Sequence, residues 1–277
     1  MSRPFSPQIS SRLQPAVGCS AAPWTALAST TVDGGVVLDL PSAGPDPLEL
    51  DTALAAVLGY ARGRRPLWFR SPIAAEGRWV QVLAFGYERF DARPRTEGPL
   101  GDPDVLTAEG LHGRLDRDDW TTVRRALDAA APLAQAAVER AAGRPFWELP
   151  AEEFSVLAEP GTVGATLRDL GTLPGVPPGY VLAALHHRWP ALFPLVAPST
   201  RRQLWPHLRE GDSGVEAVIH RELQAQAEGF EKLETAVAEH GLALTRLRLH
   251  DVLLWLSAGL RLTHATALGR ALAPAVS

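Results

Sequence analysis

From about Leu106 to the C-terminus, apolar residues recur at helical spacing, and the runs are joined by short connections. A chain so patterned can bury its apolar stripes only against other helices. DDWTTVRRALDAAAPLAQAAVERAAG at 118–143 predicts one long helix, with a bend available at Pro132, which removes a backbone donor. EEFSVLAEP at 152–160 and TVGATLRDLGT at 162–172 predict two short helices. Ser213 and Glu216 have the spacing of a capping box and open a charged helix running to about His240. RLRLHDVLLWLSAGL at 246–260 is largely apolar and predicts a buried helix.

The N-terminal third reads differently. Residues 1–30 are rich in Ser, Pro, Gln and Ala without periodicity, which suits a flexible arm. VVLDL at 36–40, PLWF at 66–69 and RWVQVLAFGY at 78–87 read as strands, and LDTALAAVLGYARG at 50–63 as a helix closed by Gly63. ERFDARPRTEGPLGDPD at 88–104 is a loop by its Pro, Gly and Asp content. The expected fold is therefore mainly α (α+β). A flexible arm (1–30) leads into a small α/β part (31–105), followed by a helical domain (106–277) with a helix-hairpin-helix-like element at 162–187.

Composition removes several function classes. The formal net charge of −4 provides no global basic field for nucleic acid. Cys19 is the single cysteine, which excludes an intramolecular disulfide and a thiolate metal cluster and fits a reducing cytoplasm. No apolar run approaches the ~20 residues of a membrane span, so no membrane partner is expected. There is no Walker loop, GxGxxG or HExxH, and neither a cofactor nor a metal is assigned. Lys232 is the only lysine among many arginines, an Ala-, Gly-, Pro- and Arg-rich usage that suggests a high-GC, actinobacterial genome.

LPGVPPGYVLAAL at 173–185 opens like the turn of a helix-hairpin-helix, with helical flanks on both sides. In such a turn, glycine permits close approach and the amides of the second helix face a phosphate. The segment HRWPALFPLVAPSTRRQL at 187–204 resembles the stretch after the hairpin in helix-hairpin-helix DNA glycosylases. From about Gly86 onward, roughly two thirds of the chain resembles an actinobacterial family classified as a domain of unknown function. GDPDVLTAEGL, LPGVPPGYVL, HRWPALFPLVA and RLHDVLLW carry that resemblance.

The departures govern what the resemblance implies. The glycosylase aspartate falls on Ala197, and the hairpin lysine of the strand-cutting glycosylases falls on Gly179. Alanine can neither activate water nor stabilise a cationic sugar, so no catalytic residue is assigned. Pro177 and Pro178 remove two backbone donors from the hairpin. Against this, no acid occurs between Asp169 and Glu210, an interval that holds Arg188, Arg201, Arg202 and Arg209. DNA is thus the partner to test, through Leu173, Gly175, Val176, Gly179, Arg188, Arg201 and Arg202.

Asp251 stands in the apolar late helix and matches the late motif of the unknown family. A buried aspartate needs a partner, here Arg246 or Arg248 locally or Arg188 across the fold. It is either a displaced catalytic or ligand carboxylate, or half of a structural ion pair. Trp189, Trp205 and Trp255 suit a core better than base stacking, and Ser71 has no assignable His/Asp partner. His186 and His187 are adjacent and point roughly 100° apart on a helix, unlike a metal pair. Asp116, Asp118 and Asp119 read as compensation of a helix start. Three roles follow: a non-catalytic DNA-binding protein, an enzyme using Asp251 on an unknown substrate, or a scaffold presenting the polar helix at 213–240. The oligomeric state is not legible.

Overall fold

The computed structural model of the chain describes residues 36–70, 77–83, 85–172, 178–259 and 261–272. The fold is mainly α with a small strand-containing part near the N-terminus. Val37–Leu38 (β1) pairs antiparallel with Leu48–Glu49 (β2), and Arg64–Arg70 (β3) with Gly77–Leu83 (β4), in the register Arg64↔Leu83 to Arg70↔Gly77. Between them Leu50–Arg62 forms α1, with Gly63 at its C-terminal end.

Asp102–His112 (α2) and Arg117–Ala141 (α3) follow. Asp116 caps α3 by accepting hydrogen bonds from the amides of Asp118 and Asp119, and Pro132 is carried inside that helix. Val163–Gly171 (α4) is capped by Thr162, whose Oγ1 accepts from the Ala165 amide. Pro178–Arg188 (α5) and Pro198–Leu204 (α6) come next. The expected helix at 152–160 is only a 3-10 turn over Ala151–Phe154. Beyond it the backbone bonds to another segment: the Val156 amide donates to the Gly211 carbonyl, and Ser155 pairs with Asp212.

The charged helix expected to His240 is two helices, Val215–Ala225 (α7) and Ala227–Glu239 (α8), broken at Gln226 (φ −111°, ψ 27°). The break lets the halves bury different stripes. Val218, Ile219 and Leu223 of α7 and Phe230, Leu233 and Val237 of α8 are all buried, with α8 against α1 and β1. Ser213 does not cap a backbone amide; its hydroxyl donates to Glu216 Oε1 at 2.7 Å.

Arg246–Ser257 (α9) is the centre of the fold. Nine of its residues are buried, and it touches α1, α6, α7, α8 and Arg261–Arg270 (α10). α10 lies so close to α1 that a Cβ on Gly59 would sit 1.9 Å from the Ala265 carbonyl oxygen, and one on Gly269 1.8 Å from that of Ala55. Glycine at both places is what permits the crossing. No helix among the described residues is long and apolar enough to cross a membrane.

Candidate functional site

α9 carries Arg248 and Asp251 one turn apart, so both side chains leave the same face of a buried helix. Arg248 does not reach solvent. Its guanidinium lies 5.6 Å from the Tyr60 ring centre and 5.5 Å from that of Phe90. Nε donates to Asp91 Oδ1 at 2.6 Å, and Nη2 to Asp91 Oδ2 at 2.9 Å and to the Tyr60 hydroxyl at 2.7 Å. Tyr60 in turn donates to Asp91 Oδ2 at 2.6 Å. Nη1 is left for Asp251 Oδ2.

One guanidinium thus serves two carboxylates, and they share it unequally. Burial alone would raise Asp91, but the Arg248 charge and the hydrogen bonds from Arg248 and Tyr60 hold it below its ordinary value. Asp251 is also buried, receives one Arg248 nitrogen, and feels the Asp91 charge. Desolvation wins there and pushes its carboxyl up to about 6. Its Oδ1 has no hydrogen-bond partner among the described residues. A carboxyl poised near neutrality beside open space is what proton transfer requires.

Open space is present. Asp251 lines a cavity of about 140 Å³, together with Tyr60 of α1, Phe85, His112 of α2, Gly179 and Leu182 of α5, Ala197, and Arg248 and Trp255 of α9. Rings of Tyr60, Phe85 and Trp255 form one wall, with centres 5.6 to 6.4 Å apart. His112 adds a second unpartnered buried atom, Nε2. Burial holds His112 below its ordinary value, against an opposing hydrogen bond to the Gly179 backbone.

The cavity gathers three residues singled out in the sequence: Gly179, Ala197 and Asp251. Gly179 has a steric reason to be glycine, since a Cβ there would lie 3.0 Å from His112 Cε1 and 3.1 Å from Nε2. A lysine at this position would displace the imidazole. Ala197 precedes α6 in extended conformation (φ −66°, ψ 157°) at the N-cap position, with no side-chain cap. Leu173, Gly175, Val176 and Ser71 lie outside the described residues.

The arginines divide. Arg188 is 9% exposed in its side chain and grips buried Asp104, with Nη2 at 2.9 and 2.8 Å from the two carboxylate oxygens. Its Nη1 donates to the Gly98 carbonyl at 2.7 Å, which leaves little of it for a phosphate. It is not the partner of Asp251; neither is Arg246, which bonds Glu234 at 2.9 Å. Arg201, Arg202 and Arg209 are exposed. Trp205 beside them is 63% exposed, Trp189 packs against Phe193, and Trp255 is half-buried at the cavity wall.

The histidines of the acid-free interval are structural where they are buried. His186 Nδ1 donates to the Phe193 carbonyl at 2.7 Å, and desolvation lowers its pKa to about 3. His187 Nε2 donates to the Arg93 carbonyl at 3.1 Å. His250 faces away from the cavity and bonds Glu222 Oε2 at 2.7 Å. Lys232 is exposed and pairs with Glu228 on its own helix.

Sequence reasoning missed Tyr60, Asp91 and His112. Each lies far from α9 along the chain; Asp91 is 157 residues from Arg248, and Tyr60 is 188. The usable signal was Tyr60 itself, a phenol on the buried face of α1 that needs a polar partner. No family model, curated protein or solved structure matches this chain.

Proposed function

We propose that this chain acts on a small ligand held in the cavity between α2, α5 and α9, with Asp251 as its proton-exchanging carboxyl. The observation that carries the reading is the unpartnered Oδ1 of a buried aspartate at the wall of a 140 Å³ cavity. Asp91, on the same guanidinium, has both of its oxygens bonded. The cavity also joins Ala197 and Gly179, which the sequence resemblance matches to the acid and the lysine of helix-hairpin-helix glycosylases. This supports a glycosylase-like arrangement in which the carboxylate has moved from 197 to 251. A cytoplasmic setting fits the single cysteine.

The test is a ligand-observed NMR fragment screen on the full chain and on Ala197→Phe, whose added ring fills the cavity. The expected result is a set of fragments bound by the parent and lost in the variant, with affinities that change across the titration of Asp251 near pH 6. Equal hit lists for the two proteins, or no hit with either, would refute the reading.

A second reading has its own observation. Exposed Arg201 and Arg202 beside exposed Trp205 favour contact with a phosphate backbone. An electrophoretic shift titration at low salt tests it, and absence of binding to single- and double-stranded DNA at high micromolar protein would remove it.

A further inference from the structure

We infer that the ligand of this cavity is a planar organic cation bearing N–H donors, of the amidinium class, held between the aromatic wall and Asp251. This rests on the ligand-binding role proposed for Asp251 and narrows it to one chemistry.

Hydrogen-bond complementarity is the first argument. Among the described residues that line the cavity, the unpartnered buried side-chain atoms are Asp251 Oδ1 and His112 Nε2. The His112 ring is neutral, since burial holds it below its ordinary value, and Nε2 offers a lone pair in the tautomer that carries the proton on Nδ1. An ionised carboxylate is likewise an acceptor. A ligand that satisfies both must donate, whereas an anion would leave them opposed to its own lone pairs.

Charge is the second. The ionisable groups facing Asp251 are Arg248 on its own helix, Asp91 from the loop before α2, Tyr60 from α1 and His112 from α2; His250 is turned toward Glu222. Arg248 is matched by Asp91, while Tyr60 and His112 are uncharged at neutral pH. Ionised Asp251 is then an unmatched negative charge, and a ligand cation completes the balance.

Shape is the third. The rings of Tyr60, Phe85 and Trp255 offer π-surface, which attracts cations. Trp255 already carries one planar cation, since the Arg261 guanidinium lies 4.5 Å from its ring centre. A cavity of about 140 Å³ is close to one of about 150 Å³ known to accept benzene. It therefore has room for one six-membered ring.

The experiment measures binding of benzamidine, benzamide and benzoate to the full chain by calorimetry or ligand-observed NMR, at pH 5 and pH 7.5. Benzamidine should bind roughly tenfold tighter than benzamide at the higher pH, with benzoate weakest. Its advantage should shrink at pH 5, where Asp251 is protonated, and disappear in Asp251→Asn. Ala197→Phe, which keeps Asp251 but fills the cavity, should abolish binding, and this arm stands even if Asp251→Asn does not fold. Benzamide or benzoate binding as tightly as benzamidine would overturn the inference, as would unchanged benzamidine binding in either variant. If benzamidine does not bind while other fragments do so in an Ala197→Phe-sensitive way, the amidinium assignment fails and the ligand pocket stands. If neither benzamidine nor any fragment binds, both fail.

Discussion

Replacing Asp251 by Asn should change how stability depends on pH, and the sign follows from the carboxyl's environment. Asp251 is pushed up to about 6 from an ordinary value of 3.8. Between those values the folded protein holds a proton that the unfolded chain has released. Stability from this group is therefore greatest below pH 4, falls as pH rises, and is fully lost above 6. A displacement of that size is worth on the order of 3 kcal/mol. Asparagine occupies the same volume and can accept from Arg248, but it carries no titrating proton. Urea unfolding of parent and Asp251→Asn at pH 4, 5, 6 and 7 gives the difference directly. The parent should lose stability relative to the variant by about 2 kcal/mol from pH 4 to pH 7. A flat difference, or one that moves in the parent's favour as pH rises, would show that Arg248 keeps Asp251 ionised and that the two form an ordinary ion pair.

Other perturbations separate core from cavity. Leu254→Ala, at a fully buried position, should cost about 2–5 kcal/mol in urea unfolding, with Trp255→Ala costing less because that ring is half-exposed at the cavity wall. Gly59→Ala should lower the thermal midpoint by forcing α1 and α10 apart, since its Cβ would fall 1.9 Å from a backbone oxygen; an unchanged midpoint would contradict that crossing. Ala197→Asp places an acceptor at the uncapped start of α6 and should stabilise by about 0.5–2 kcal/mol, read as a higher urea midpoint. Arg188→Met leaves Asp104 buried without its fork and should cost about 3–5 kcal/mol, seen as a loss of folded protein at neutral pH.

The elements that could be read from sequence were those whose signals are local. Apolar spacing and the caps Asp116 and Thr162 delimit α3 and α4, and Gly63 ends α1. The division of α7 from α8 had no such mark, because Gln226 is neither glycine nor proline and the break serves two distant packing partners. The 152–160 segment has helical composition, yet its Val156 amide donates to the Gly211 carbonyl and its Phe154 carbonyl accepts from the Ser213 amide, a choice made by tertiary pairing. Of the site, Gly179, Ala197 and Asp251 came from motif resemblance. Asp91 looked like one more turn aspartate in a loop rich in proline and glycine, and His112 like the end of a helix. Only folding sets one on Arg248 and the other over Gly179.

The proton of Asp251 can be observed directly. Full-length protein with ¹³C-labelled aspartate carboxyls, titrated by NMR beside Asp251→Asn to assign the missing resonance, reports that one group among all others. The expected result is a single carboxyl titrating near pH 6, shifting lower when a cationic ligand binds. A resonance that titrates at or below the ordinary aspartate value, and ignores every ligand offered, would contradict the assignment of Asp251 as a proton-exchanging group.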